Sequence, residues 1–415
     1  MDTTKWVGTR RSNASADQTL EQANSQAGGA TGHGRGLRGR SLAVVGTAAV
    51  IACSVAVCGS SSAATKSHAS TSGPSATAAS AANVAAAKAA IAPYTGHPSA
   101  FPVTTPLGKR LPRGTRFVYL QCATPVCAQI GELLAPAVKT IGGKLTVINS
   151  GGTASTSQAA ASSALALKPK AVLIPAVTPS EFGTSLKKLD AAGIKVTSVG
   201  VLNGKPYGID YGIGGAGSTA TAGKLMADWV IVHKGADANV VFYTTPELDF
   251  SSYMERAFAA ELAKNCSSCK LRVVPISVLT FGSTAPQTIA NDLQANPSTN
   301  VAVFASEEAA TGLPAALSAA SIKVTTIGFA PDPGNLQDIK TGGLTAGLGL
   351  DLPVQQWTQV DATARLLLGE KLPSTEANVD LEFLGQKQIT FNPAEGWTGY
   401  PDFAQRFAKL WLVGK

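Results

Sequence analysis

Short apolar runs separated by helix-length segments recur along most of this chain, and that alternation restricts the fold more than any other feature. Arg116–Leu120, Ala171–Val177, Lys195–Gly200 and Val301–Ala305 are each followed or preceded by a segment of about ten to fifteen residues with helical periodicity. A strand buried on both faces of a parallel sheet reads as an unbroken apolar run, whereas its crossover helix shows one apolar stripe. The alternation therefore predicts an α/β fold of βα units on parallel sheets, in two blocks.

In the first block, strands are expected at Arg116–Leu120, Lys144–Asn149, Ala171–Ala176 and Lys195–Val199, with helices at Val126–Ile141, Ser157–Leu167 and Ser180–Ala192. Gly142-Gly143 and Gly193 stand where helices should stop, because glycine accepts the left-handed conformation of a C-terminal cap. The second block opens with a helix at Ser218–His233. Strands follow at Asn239–Tyr243, Leu271–Val278, Val301–Ala305 and Lys323–Phe329, interleaved with helices at Phe250–Lys264, Pro286–Ala295 and Ala309–Ala320. Phe250, Met254, Phe258 and Leu262 recur every fourth residue and should bury one stripe. A strand at Leu344–Leu350, a helix at Val354–Leu368 and a terminal strand at Gln388–Phe391 complete the expected elements.

At 415 residues the chain can form two domains with a stretch to spare at the front. The formal net charge is +8, and residues 1–52 hold six Lys and Arg against three acids. The remaining positive charge is spread thinly, with no basic run interleaved with aromatics, so no nucleic-acid partner is expected. Arg35, Arg38 and Arg40 precede the almost uncharged Ser41–Cys58, the order of an export signal. Val50-Ile51-Ala52 before Cys53 is similar to a bacterial lipobox; Cys58 follows the bulkier Val57 but leads into Gly59-Ser60-Ser61-Ser62. Cys53 or Cys58 is thus the expected lipidation site, with an uncleaved signal anchor, at the short limit for spanning a bilayer, as the alternative. Either reading puts the body outside the cytoplasm, anchored to the outer face of the cell membrane.

Residues 59–112 form an Ala/Ser/Thr tract stiffened by Pro93, Pro98, Pro102 and Pro106, and should be a flexible linker, since few large apolar groups are present to offset ordering entropy. Two close cysteine pairs, Cys122 with Cys127 and Cys266 with Cys269, read as disulfides in an oxidising compartment. A Cys-x-x-Cys at a helix N-terminus would be a redox candidate, but Cys266 and Cys269 follow a helical run.

Catalytic signatures are sparse. Gly212-x-Gly214-x-x-Gly217 matches a dinucleotide fingerprint in form, yet Ser218–His233 reads as helix throughout, so a crossover between the blocks fits better and no cofactor is expected. The chain lacks a Gly-x-Ser-x-Gly elbow and a Gly-Lys-Ser/Thr phosphate loop, and only His233 lies in the body. Glu307-Glu308 is a tight carboxylate pair just past an expected strand, where open parallel sheets bind ligands. Adjacent residues diverge on a loop, so one of the two should face a cleft and the other solvent.

Asn296-Pro297 before Val301–Ala305, Val324–Ile327 before Gly328-Phe329, and Ala191-Ala192-Gly193-Ile194-Lys195-Val196 resemble type I periplasmic binding proteins of the ribose-binding kind. Ala222-Gly223 before an apolar helix, and Gly342-Gly343-Leu344 leading to Asp351-Leu352-Pro353, fit the same pattern. The resemblance covers about Arg113 to Phe391. It implies two Rossmann-like parallel-sheet lobes joined by a three-segment hinge, closing on a small ligand for delivery to an ABC-type permease. The implied lobes are 113–212 with a return segment at about 331–350, and 213–330 with about 351–391, followed by a tail at 392–415. A sensory module using the same lobes, or an exported enzyme, are the alternatives.

Carried over by position, the resemblance places Thr124, Pro125, Pro175, Ala176, Val199 and Gly200 in the first lobe's half of the cleft. Met254, Phe281, Glu307, Phe329, Ala330 and Asp351 form the rest. Sugar binders place Asp-Arg after the fourth strand, an Arg on the second-lobe helix and an Asp after Gly-Phe; here Val199-Gly200, Met254 and Ala330 stand there. The expected ligand therefore has an apolar body held by Met254, Phe281 and Phe329, with hydrogen-bond donors for Glu307 and Asp351. A modified sugar, a cyclitol-like polyol or an amine-bearing molecule fits that description.

Overall fold

The computed structural model describes residues 76–98, 100–372 and 379–413. The export segment Ser41–Cys58, with Cys53 and Cys58, lies outside the described residues. After α1 (Ala76–Ile91), the first lobe runs β1 (Arg116–Cys122), α2 (Pro125–Thr140), β2 (Lys144–Gly151), α3 (Ala154–Leu167), β3 (Ala171–Ile174), α4 (Ser185–Ala191), β4 (Lys195–Val199) and β5 (Tyr211–Ile213). Its five strands are parallel in the order β2-β1-β3-β4-β5. The central β3 is buried at every residue, and the edge strand β2 is half exposed, as the unbroken apolar run and the mixed run respectively require. Gly142 and Gly193 stop α2 and α4 with φ of 89° and 71°.

The second lobe comprises α5 (Ala216–Lys234), β6 (Asn239–Thr244), α6 (Ser251–Asn265), β7 (Lys270–Pro275), α7 (Ala285–Ala295), β8 (Val301–Phe304), α8 (Leu313–Ala319), β9 (Thr325–Phe329), α9 (Pro333–Thr341) and β10 (Ala346–Leu350). Three elements remain: α10 (Leu352–Leu368), β11 (Leu381–Gly385) and α11 (Phe403–Leu410). The second sheet has the order β11-β10-β9-β8-β6-β7, parallel except for the antiparallel pair β10–β11, in which Ala346 faces Gly385 and Leu350 faces Leu381. The last strand is therefore Leu381–Gly385, and the expected strand at Gln388–Phe391 is turn and loop.

Three chain segments pass between the sheets: β5 to α5, β10 to α10, and α10 to β11. This three-segment hinge carries the expected architecture, but of the returning segments only β11 keeps its expected lobe. Residues 331–350 belong to the second lobe because β10 hydrogen-bonds to β9, whereas α10 packs on α2 and β4 of the first. Trp357, Val360 and Ala364 of α10 enter the same core as Phe117 and Leu173.

The linker and tail expectations also change. Alanine is the best helix former, and the Ala-rich stretch forms α1, which lays Ala87 and Ile91 against α5 in the second lobe's core. The chain then crosses to the first lobe, where Val103, Leu107 and Leu111 are buried. The C-terminal segment crosses in the same direction. Trp397 packs in the second lobe, Tyr400 in the first, and α11 buries Phe407 beside Trp411, which stacks on Trp357 at 5.3 Å. Five segments among the described residues thus join the lobes.

Candidate functional site

The carboxyl ends of β1, β3, β4, β9 and β10 converge with the hinge on a cleft between the lobes. It lies at the edge where parallel sheets bind ligands. Thr124 lines it just beyond β1, Pro175 and Ala176 beyond β3, and Val199 and Gly200 at the end of β4. The second lobe adds Leu248 and Phe250 from the loop between β6 and α6, Ser306 and Glu308 beyond β8, and Phe329 and Ala330 at β9. Hinge residues Gly214, Ser218, Thr219 and Gln355 close the back.

Protein groups bridge the lobes across the cleft. The Val126 amide, in the first turn of α2, donates to Glu308 Oε1 at 2.9 Å. An acid is favoured there, because the first amides of a helix have no partner within it. Val177 and Leu248 form an antiparallel bridge, flanked by Thr178 N donating to Glu247 O at 3.1 Å and Asp249 N donating to Ala176 O at 3.0 Å. Leu202 N donates to Asp249 Oδ2 at 2.7 Å. This is a closed arrangement.

Glu308 is buried by these contacts. Desolvation raises its pKa to about 7, against the lowering effect of the Val126 amide and the Thr124 hydroxyl. Its neighbour Glu307, expected in the cleft, does not reach it, and neither member of the pair faces solvent. It is fully buried beneath the cleft, in a slot left by Gly328 and Gly347, where a Cβ would overlap its side chain. Burial first, then Asp332 and Asp338, hold the Glu307 carboxyl well above the usual range, and neither oxygen has a hydrogen-bond partner among the described residues.

Of the expected site residues, Thr124, Ala176 and Phe329 line the cleft, and Pro125 opens α2 between Thr124 and Val126. Four do not reach it. Met254 is in the second lobe's core with Phe258 and Leu262, on the very stripe the helical periodicity marks. Phe281 packs on the opposite face of that sheet with Ile276 and Ile289. Glu307 lies in its slot. Asp351 caps α10 at the second hinge crossing, accepting from Val354 N at 3.1 Å, Gly399 N at 2.9 Å and Thr398 Oγ1 at 3.0 Å. Desolvation raises its pKa to about 7 despite these bonds, and its oxygens are committed to two backbone amides and the Thr398 hydroxyl.

Lining residues outside the expected set include Glu308, Phe250, Ser306, Thr219 and Gln355. Gln355 is one helical turn past Asp351, a spacing that would have marked it once α10 was assigned to the hinge. The glycine triplet is the first crossing. Gly212 ends in β5 of one sheet and Gly215 caps α5 on the other lobe, so the strand and helix do not form one dinucleotide unit. Both cysteine pairs have disulfide-compatible spacing, with Cα atoms 5.5 Å apart for Cys122 and Cys127 and 5.4 Å for Cys266 and Cys269. The first pair brackets Thr124 at the cleft wall.

A family model described as a periplasmic binding protein domain matches residues 117–371, more than half of the chain. The chain belongs to that family. Membership implies an extracytoplasmic location for this binding protein, and the family's members bind solutes. Solved structures share its fold. The myo-inositol binding protein of Caulobacter superposes with a TM-score of 0.59 at 22% identity, covering 68% of this chain and 97% of its own. An ABC transporter solute binding protein from Actinobacillus succinogenes, solved with D-allose, gives 0.56 at 19%, covering 66% and 98%. Another from Agrobacterium vitis, solved with allitol, gives 0.58 at 18%, covering 67% and 97%. No curated protein matches the binding protein's sequence. Among the described residues no helix is long and apolar enough to cross a membrane.

Proposed function

We propose that this binding protein captures a small polar or amphipathic ligand between its lobes and delivers it to an ABC-type importer, held at the outer face of the membrane through Cys53 or Cys58. The observation that carries the reading is the cleft at the strand ends, closed by the Glu308–Val126 and Val177–Leu248 contacts and backed by the hinge. Closing lobes bury a ligand on all sides, and the closed surface is what a permease can distinguish from the open one. The solved relatives, two of them transporter subunits with D-allose or allitol bound, support the same role. The reading is of capture without turnover.

The test is a calorimetric screen of sugars, cyclitols, amines and apolar metabolites against the purified protein, with thermal midpoints in parallel. One-to-one binding is expected, with a stability gain of about 2.7 kcal/mol at ligand a hundredfold above its Kd. The ligand should be recovered chemically unchanged, and its uptake by cells should be lost when the gene is deleted. Turnover of the bound compound, or uptake unaffected by deletion, would overturn the proposal.

A further inference from the structure

The capture reading leaves the ligand's chemistry open, and the cleft wall narrows it. The positions at the strand ends, from which polar side chains would reach a ligand, are Ala176, Val199, Phe329 and Leu350, with Leu248 and Phe250 opposite. Lys, Arg, His, Asp, Asn, Tyr and Trp are all missing from the described lining. The polar side chains that remain sit at two places, Glu308 with Thr124 and Ser306 beyond the strand ends and Gln355 with Ser218 and Thr219 at the hinge; the Thr124 hydroxyl bonds Glu308, and that of Thr219 faces the Gly214 carbonyl at 3.5 Å. At one, Glu308 is already engaged by the Val126 amide. At the other, the hinge, Gln355 is buried to 7% exposure next to Gly214. Its Oε1 accepts from Gln356 Nε2 at 3.4 Å, while its own Nε2 donates to no group among the described residues. A buried amide donor facing a cavity calls for an acceptor from the occupant.

Resting on that capture reading, we infer that the ligand is an uncharged molecule with a compact apolar carbon framework and one acceptor, a carbonyl or ether oxygen, bound by Gln355 Nε2. A polyol is disfavoured. With Glu308, Thr124 and Thr219 already engaged, Ser218, Ser306 and Gln355 are the lining side chains left to meet its hydroxyls, and each hydroxyl buried without a partner lowers affinity roughly ten- to hundredfold. An anion would meet no lining cation. A cation would meet a single carboxyl whose lone pairs are partly taken, in a cleft with no second acid on its wall.

The test compares two probes of similar size by calorimetry on the full chain: 2-decalone, a bicyclic hydrocarbon with one carbonyl, and myo-inositol, a ring bearing six hydroxyls. One-to-one binding of 2-decalone, at least about tenfold tighter than myo-inositol, is expected. The Gln355→Leu variant should lose roughly tenfold in affinity for 2-decalone while binding decalin, which has no acceptor, as the parent does. Tighter binding of myo-inositol overturns the apolar assignment and leaves the capture reading standing. Unchanged 2-decalone affinity in Gln355→Leu overturns the role of Gln355. Binding of neither probe up to its solubility limit overturns the apolar assignment, and the capture reading falls only if the broader screen also finds no ligand.

Discussion

The joint between α10, the N-terminal crossing and α11 depends on one buried ion pair, and removing its acid should loosen both added crossings together. Asp361 is fully buried, and Arg365, one turn on, is 1% exposed. Asp361 Oδ2 accepts from Arg365 Nε at 2.7 Å, and Oδ1 accepts from Trp411 Nε1 at 2.7 Å. Arg365 also donates to the carbonyl of Thr105 in the N-terminal crossing. Asp361→Ala leaves the buried Arg365 guanidinium with Glu370, a longer and partly exposed partner at 3.5 Å, in place of its buried carboxylate, which costs up to about 3–5 kcal/mol. The Trp411 donor orphaned at the same time overlaps with that cost, since the groups form one network. For a protein of this size the loss lowers the thermal midpoint by roughly 4–7 °C. Asp402→Ala is the control, because its pair with Arg406 is largely exposed and should contribute under about 0.5 kcal/mol. Replacing both partners, Asp361→Leu with Arg365→Met, should recover most of the stability, as apolar groups of similar volume replace buried charges with little net change. Circular dichroism melting of the four proteins decides the matter. A single Asp361→Ala within about 1 kcal/mol of the parent would refute the reasoning.

Gly223→Ala should destabilise by about 1–3 kcal/mol, because its Cβ would overlap the Met254 carbonyl where α5 meets α6; Gly217→Ala in the same helix meets nothing within 4 Å and should gain up to about 1 kcal/mol in urea titrations. Glu308 has its pKa raised by burial to about 7 from 4.5, so the folded state disfavours its ionised form. Parent and Glu308→Gln should therefore be equally stable below about pH 4.5, and the parent should fall behind as pH rises to 8, by about 2–3 kcal/mol; parallel pH profiles of the two midpoints would sink this assignment. We propose disulfides between Cys122 and Cys127 and between Cys266 and Cys269, so mass mapping of unreduced peptides from exported protein should recover each pair linked, and alkylation of all four thiols without reductant would refute it.

The parallel strands were legible because burial on both faces leaves no polar residue to interrupt Ala171–Ile174 or Val301–Phe304. Thr124, Ala176 and Phe329 were placed by the family resemblance, by their positions at these strand ends, and they line the cleft in the structure. Two errors had evidence against them in the residues. Met254 lies on the stripe with Phe258 and Leu262, which assigns it to the core, and Asp351 before Leu-Pro has the pattern of a helix cap. The choice between Glu307 and Glu308 was not legible. It depends on the space that Gly328 and Gly347 leave on strands distant in sequence, and on an amide from the other lobe. The strand Leu381–Gly385 was hidden for a similar reason, since an antiparallel edge strand is defined by its partner β10.

The five segments joining the lobes lie side by side. Tyr94 shares a surface pocket with Gly215–Ser218 and Leu381, and Pro98 meets Gly399, which in turn binds Asp351. A row of tethers along one edge offers little resistance to a swing about that edge, since every tether is near the axis and hardly stretches. It resists twist and sideways slip strongly, because those motions displace the ends of the row in opposite directions. The joint is therefore mechanically anisotropic, compliant in one direction and stiff in the others. When Val126 and Glu308 part, they should separate along a single arc and meet again in register, so closing restores their hydrogen bond without a search over relative orientations.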